Sequence, residues 1–169
     1  MTATPEAALE EPGARQLLRH AVATLAYRGG KVLRGVPPEV AGFKAGPATR
    51  TPAEILAHVC DLLDWALSIA RGQQAWHDST PQAEWGRDVA RFHEGLAAFD
   101  ACLASDAPLG ASASLLFQGP IADALTHVGQ IALLRRLAGA PVKGENYAKA
   151  EIVAGRVGPE QAAPRRELD

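Results

Sequence analysis

The amino-acid sequence predicts an all-α protein, a single four-helix bundle, and three observations lead to that prediction. Alanine and leucine supply most of the apolar content, while aromatic residues make up only 5% of the 169 residues. Both residue types enter a helix at little cost in free energy. Apolar side chains recur with helical spacing in four segments, and no strand-like alternation persists before the C-terminal region. Four amphipathic helices with short connections are typical of a bundle.

The first two helices have well-marked limits. The first is predicted over residues 13–33, where the pair Gly29-Gly30 either weakens the helix or lets a neighbour approach closely. The second begins at Thr51-Pro52-Ala53-Glu54, which offers an N-cap hydroxyl, a proline at the first helical position and a glutamate at the third. We expect it to run to about Arg71, because Gly72 follows.

The second helix divides into two faces. Its apolar stripe, which should face the core, consists of Ile55, His58, Leu62, Trp65 and Ile69. The opposite face is predicted to meet water and consists of Asp61, Asp64, Ser68 and Arg71.

The last two helices follow the same logic. Ser79-Thr80-Pro81 predicts the start of a third helix, which continues to about Ser105. A fourth helix is predicted over residues 113–138, with a kink near Gly119-Pro120. Beyond it, residues 142–157 are weakly patterned and predict a short strand or a partial helix packed on the bundle.

Length and charge limit the domain organisation and the class of partner. We expect one domain over residues 13–157 with a C-terminal extension, and disordered tails over 1–12 and 158–169. A net charge of −2 gives no electrostatic reason to expect nucleic acid. No apolar run is long enough for a membrane span, and no signal peptide precedes the first helix. Cys60 and Cys102 are interpreted as unpaired thiols in a reducing compartment, so a cytoplasmic location is predicted.

Three polar side chains fall on stripes that should face inward. Asp123 and His127 lie four residues apart on the fourth helix, so they share one face and can reach one point. His58 lies on the apolar stripe of the second helix. A buried ionisable group needs a partner, and two imidazoles with one carboxylate suit a divalent metal. The sequence therefore predicts a core metal site formed by His58, Asp123 and His127.

Plainer interpretations of the same residues stay open. His58 alone would be read as a hydrogen-bonded core histidine, and Asp123 with His127 as an intrahelical hydrogen bond. The remaining histidines fall outside the inward stripes, in surface, loop or seam-flanking positions, and are expected to be solvated or hydrogen-bonded: His20, His77 and His93.

Two short segments resemble DinB/YfiT-like proteins. They are Leu56-Ala57-His58-Val59-Cys60-Asp61-Leu62-Leu63-Asp64-Trp65 and Asp123-Ala124-Leu125-Thr126-His127-Val128-Gly129-Gln130. The resemblance, which spans roughly residues 15–137, implies a bundle in up-down-down-up order, often a dimer. It also implies a zinc, nickel or similar ion held by three histidines. His58 and His127 match the first and last of these ligands, and Asp123 stands where the commonest pattern has histidine.

The resemblance implies a divalent-metal-dependent enzyme of the thiol transferase or hydrolase type. Some characterised relatives use a low-molecular-weight thiol, and an open metal position would acidify a bound water or thiol. A non-catalytic, stress- or damage-associated binding protein on the same bundle is the alternative, with the metal structural or absent. An enzyme needs a solvent-connected cleft at the metal, whereas a structural site is closed. For a homodimer, small residues on the first helix are expected to allow close approach: Ala21, Ala23 and Gly29.

Overall fold

The computed structural model describes residues 13–168, and within them the protein is all-helical with no strand. Four long helices form it: α1 (Ala14–Leu33), α2 (Pro52–Ala70), α3 (Trp85–Ala104) and α4 (Ala122–Leu137). Their buried apolar side chains form one continuous core. The tail expected over residues 1–12 lies outside the described range. None of the described helices combines the length and the apolar character that crossing a membrane requires.

The helix α2 begins as the sequence predicts. The Thr51 hydroxyl accepts a hydrogen bond from the Glu54 backbone N–H at 3.1 Å, and the Glu54 carboxylate accepts one from the Thr51 N–H at 2.7 Å. These reciprocal bonds satisfy two N–H groups that the first helical turn leaves without partners. At the other end Gly72 adopts a φ of 74°, which ends the helix.

The helices α1 and α3 approach closely at a glycine. A Cβ atom added to Gly29 would lie 2.5 Å from Cζ of Phe92, so no larger residue fits there without displacement of the ring. Ala23 is also fully buried inside the protein. Gly29 and Ala23 therefore serve packing within the chain, whereas Ala21 is half-buried, and the expected homodimer stays a prediction.

The start predicted for the third helix is wrong by six residues, because α3 begins at Trp85 and not at Ser79. The intervening chain runs along α2 and is held there by side chains. Asp61 accepts a hydrogen bond from the Ser79 backbone N–H at 2.8 Å, and Asp88 accepts one from the Gln82 N–H at 2.9 Å. Carboxylates of α2 and α3 therefore accept hydrogen bonds from backbone N–H groups of this segment. In a helix that began at Ser79, the Ser79 hydroxyl would have accepted a bond of this kind.

The same connection corrects the face of α2 that was expected to meet water. Asp61 is only 2% exposed and Ser68 is also buried. The Ser68 hydroxyl donates a hydrogen bond to the Ala75 carbonyl at 3.2 Å, so the connection covers this part of the face, while Arg71 is exposed as expected. The apolar periodicity of a helix does not show which of its polar residues a loop will bury.

The fourth helical segment is interrupted where the sequence predicts a kink. A helical turn, Ala113–Leu116, continues into a π-helical turn, Phe117–Ile121, before α4 begins. Pro120 lies inside the π-helical turn, and a proline lacks the N–H that a regular helix would use. A Cβ added to Gly119 would lie 3.3 Å from the Trp65 ring, so this turn packs closely on α2.

The chain after α4 is irregular and packs on α1. Its only regular turn among the described residues is a 3-10 helix, Tyr147–Lys149, in place of the expected short strand or partial helix. The Glu145 carboxylate is buried and accepts hydrogen bonds from the Tyr27 hydroxyl at 2.7 Å and the Lys31 ammonium at 2.8 Å. This buried ion pair fixes the extension to the bundle.

The disordered tail expected after Gly158 is also wrong as far as Leu168. The Leu168 N–H donates to the Gly144 carbonyl at 2.9 Å, and Glu167 pairs with Lys31 at 3.1 Å. A polar composition predicted disorder here, but these long-range partners order the segment.

Candidate metal centre

The structure brings His58, Asp123 and His127 together. One ligand atom from each side chain lies within 4.8 Å of those of the other two. Asp123 and His127 are one turn apart on α4, with Nε2 of His127 3.4 Å from Oδ1 of Asp123. The His58 ring on α2 meets the His127 ring edge to face, with 4.8 Å between centroids. The expectation that the three share one point is therefore confirmed, while a bound metal stays a prediction.

The site does not lie in the bundle core, where the sequence placed it. The Asp123 side chain is 48% exposed and that of His127 is 14% exposed. The buried residues of α4 include Ala124 and Val128, one position further along the helix. One residue turns a helix by about 100°, so the two candidate ligands face sideways, along the edge between α2 and α4.

A hydrogen bond sets the tautomer of His127. Nδ1 of His127 lies 2.8 Å from Oε1 of Gln130, and this amide oxygen can only accept. Nδ1 therefore carries a proton, and the lone pair of a neutral ring lies on Nε2, the atom that faces Asp123. Two acceptors facing each other at this distance need a proton or a cation between them.

His58 is held in its neutral form. Burial lowers its pKa below the usual value for histidine, and the neighbouring His127 and Arg50 act in the same direction. The carboxylate of Asp123 opposes this effect without reversing it. A neutral imidazole is the form that binds a metal, so His58 is ready to act as a ligand near pH 7.

Tryptophans that the sequence did not assign to the site lie beside it. The Trp76 ring meets His58 edge to face at 5.7 Å and Trp65 at 6.1 Å. Its neighbour His77 is exposed, in line with the solvated position expected for it. The sequence offered only a weak signal, a large aromatic residue in a connecting segment, and its contact with His58 depends on the tertiary fold.

An open depression of about 430 Å³ adjoins the candidate ligands. Asp123 forms part of its wall, and the other lining residues come from α2, the π-helical turn and α4: Trp65, Gln118, Gly119, Ala122 and Thr126. The site is therefore open to solvent on the side of Asp123.

A second polar cluster on α2 lies beside the first. Arg91 of α3 donates hydrogen bonds to Asp61 and Asp64, each at 2.6 Å. Burial alone would raise the pKa of Asp61, but the hydrogen bonds from Arg91 and the Ser79 N–H lower it. Sequence periodicity missed this cluster because it assigned both carboxylates to a solvated face.

The remaining candidates fit plain structural roles. Nδ1 of His93 lies 3.1 Å from the Val157 carbonyl, so this histidine is hydrogen-bonded, one of the roles expected for it. Cys60 and Cys102 are unpaired thiols, as expected. Burial raises the pKa of the Cys60 thiol, which makes it a poor nucleophile or ligand.

Comparison with protein-family models, curated proteins and solved structures finds no match for this chain. The functional conclusion therefore depends on the geometry and on the resemblance of the two helical segments.

Proposed function

We propose that His58, Asp123 and His127 bind a divalent metal ion, zinc or nickel, on a DinB/YfiT-like bundle, and that the protein is a metal-dependent enzyme. The observation that supports this most is the approach of three lone-pair donors within 4.8 Å of one another. His127 turns its free nitrogen toward Asp123, because Gln130 occupies the other one. Such outer hydrogen bonds orient histidine ligands in known metal sites.

Contacts between the helices support the up-down-down-up order. The contacts of Arg19 with Asp100 and of Gly29 with Phe92 support an antiparallel arrangement of α1 and α3. The contacts of Cys60 with Asp88 and of Leu63 with Gly95 support a parallel arrangement of α2 and α3. The pairs His58 with His127 and Trp65 with Gly119 support an antiparallel arrangement of α2 and the fourth helical segment.

The donor set fits a divalent cation. Two imidazoles and one carboxylate suit zinc, nickel and similar ions, and they leave coordination positions open. The cluster contains no further His, Cys, Asp or Glu among residues 13–168. A cation in such a site acidifies a water or a thiol and polarises a carbonyl. The residues of the chain hold it, and Gln130 fixes the orientation of His127.

Exposure favours an enzyme over a structural metal site. The Asp123 side chain is 48% exposed and lines an open depression, so a small molecule can reach the ligands. A closed structural site would bury its ligands and supply a fourth. We therefore infer a transferase that uses a low-molecular-weight thiol, or a hydrolase, acting on a small molecule. A non-catalytic binding protein would need the depression for a partner instead.

Metal content and metal-dependent stability test the proposal together. Protein purified without a His-tag should carry up to one equivalent of zinc or nickel by elemental analysis. Metal-free protein should gain thermal stability on addition of zinc, because the ion binds the native state. His127→Ala serves as the matched control and should lose the gain. No gain in the wild type at high micromolar zinc, with folding verified by circular dichroism, would refute the metal site.

The resemblance also supports a homodimer, which we propose independently of the metal. Light scattering at tens of micromolar should give twice the mass of the chain. A monomeric mass would remove the dimer and leave the metal site untouched.

A further inference from the structure

The depression beside the candidate ligands has an unusual lining for a site that would accept charged substrates. Its walls come from Trp65, Gln118, Gly119, Ala122, Asp123 and Thr126, and among the described residues no lysine or arginine belongs to them. Within residues 13–168, the Asp123 carboxylate is the only charged group in the lining. Arg50 lowers the pKa of His58 from nearby but does not line the depression. Apart from the proposed metal ion, a ligand with a free anionic group would therefore meet no cationic side chain of residues 13–168 in this lining.

Among the described residues, one aromatic side chain lines this depression, and a second meets it from outside the lining. Trp65 lines it directly, and Trp76 meets the Trp65 ring edge to face at 6.1 Å while remaining 44% exposed. The backbone at Gly119 comes so close to Trp65 that an added Cβ would lie 3.3 Å from the ring. The Trp65 ring is thus held between the π-helical turn and Trp76. A fixed indole with a partly exposed second indole beside it provides a platform for another aromatic ring.

The two indole N–H groups differ in whether they already have a hydrogen-bond partner. The Trp76 indole N–H donates to Asp78 at 3.1 Å, whereas the Trp65 indole N–H has no protein partner within residues 13–168. The Gln118 amide is exposed and also lines the depression. A donor and an amide beside an aromatic platform suit a neutral polar group, such as an amide, attached to a ring.

We propose that the depression binds an uncharged, planar aromatic group of a ligand whose metal-binding donor lies beside Asp123 and His127. This inference rests on the proposed metal site for the donor, and on the two tryptophans for the aromatic group. It assigns Trp65 and Trp76 as the residues that determine specificity. It also places the ligand in a class distinct from small aliphatic or polyanionic molecules.

Three probes separate the aromatic platform from the metal. Benzohydroxamate is aromatic and binds metals, acetohydroxamate binds metals without a ring, and benzoate has a ring with a negative charge. Indole N–H resonances report binding, because the chain has only three tryptophans and Trp85 is committed to the Leu33 carbonyl. In metal-free protein, benzohydroxamate should shift the Trp65 and Trp76 signals and leave that of Trp85 unchanged. The two other probes should bind at least threefold more weakly.

Zinc-loaded protein provides the second arm. Both hydroxamates should bind more tightly, and benzohydroxamate should keep an advantage of roughly three- to tenfold over acetohydroxamate. Equal affinities in both arms, or equal shifts of all three tryptophans, would overturn the aromatic inference. If zinc does not bind at all, the proposed metal site fails, while the metal-free arm still decides the aromatic platform.

Variants complete the test. Trp76→Ala removes a half-exposed side chain from a connecting segment, so the fold should persist. It should reduce the advantage of benzohydroxamate to less than threefold without changing the affinity for zinc. Trp65→Phe, which keeps a ring but removes the free N–H, should give an intermediate advantage. Trp85→Phe is the control and should behave as the wild type. An unchanged advantage in Trp76→Ala would overturn the assigned role.

Discussion

The two polar clusters on α2, one at His58 and the other at Asp61 and Asp64, differ in how their charges are compensated. In the Asp61–Arg91–Asp64 cluster, one guanidinium donates to both carboxylates at 2.6 Å, and Asp61 is 2% exposed. In the candidate metal centre, His58 contributes a neutral ring and Asp123 remains 48% exposed beside an acceptor nitrogen. The first cluster contains a cationic side chain, whereas no Lys or Arg of residues 13–168 pairs with the Asp123 carboxylate in the second.

This difference separates a structural cluster from a functional one. A buried carboxylate with a guanidinium and a backbone N–H has every hydrogen bond that it needs, so it fixes a connection in place. A group of lone-pair donors without an internal cation is stable only where water, a proton or a metal reaches it. The exposure of Asp123 supplies that access. Changes in the first cluster should therefore affect folding, and changes in the second should affect binding.

Loss of the buried carboxylate should have the largest effect. Asp61→Ala leaves the Ser79 N–H without its acceptor and Arg91 with only the half-exposed Asp64. We expect the free energy of unfolding in urea to fall by about 3 kcal/mol, because a buried pair is broken from one side. Asp64→Ala is the matched control and should cost less than about 1 kcal/mol, since its side chain is 41% exposed. Equal losses would mean that burial does not distinguish the two carboxylates.

Loss of the Asp123 carboxylate from the candidate metal centre should instead leave stability almost unchanged and weaken zinc binding. Asp123→Ala should change the free energy of unfolding by less than about 0.5 kcal/mol, as exposed positions usually do. It should weaken zinc affinity at least about 10- to 100-fold, because outer residues of metal sites already have that effect. Asp123→His should retain binding by restoring a third imidazole. Calorimetric titration of the wild type, Asp123→Ala and Asp123→His with zinc measures the affinities, and unfolding in urea measures the stability. Equal zinc affinity in all three proteins would exclude Asp123 as a ligand.

Much of this contrast lies beyond what the sequence alone predicts, for a physical reason. Helical periodicity and the capping signal at Thr51 predicted α1 and α2 within a residue or two, and brought His58 together with Asp123 and His127. These signals are local. The exposure of the candidate site depends on which neighbour covers each face, a property of the assembled bundle.

The errors have the same origin. Ser79-Thr80-Pro81 carries a helix-start signal, but Asp61 from another helix binds its first N–H. The segment after Gly158 has a disordered composition, yet Glu167 finds Lys31 on α1. Tertiary partners overrode local propensity in both places. Trp76 was missed as a site residue because nothing in its local pattern shows that it meets His58.

The pH at which Asp61 stops stabilising the fold should also differ from the pH at which the candidate metal centre releases zinc. The lowered pKa of Asp61 stabilises the fold above the unfolded value of about 3.9, and this contribution is lost as the pH falls through the folded pKa. The lowered pKa of His58 keeps its ring neutral to somewhat below 6.5, after which protons compete with the metal by about tenfold per pH unit. Near pH 5, zinc should therefore dissociate while circular dichroism still shows a folded protein. Simultaneous loss of zinc and of structure would contradict the separation.

The smallest expected effect concerns Gln130, which touches only the outer nitrogen of His127. Gln130→Leu removes the acceptor, so the imidazole can place its proton on Nε2 as well, and zinc must then displace it. We expect zinc affinity to fall about three- to tenfold, at or below the lower end of outer-residue effects, because Gln130 is exposed and water can replace part of the bond. Gln130→Glu keeps an acceptor and should restore the affinity. The ¹⁵N shifts of the His127 ring provide a readout that a loss of packing would not change: the wild type and Gln130→Glu should show the proton on Nδ1, and Gln130→Leu a mixture. If the mixture forms without a loss of affinity, then the orientation of His127 is fixed by the helix alone.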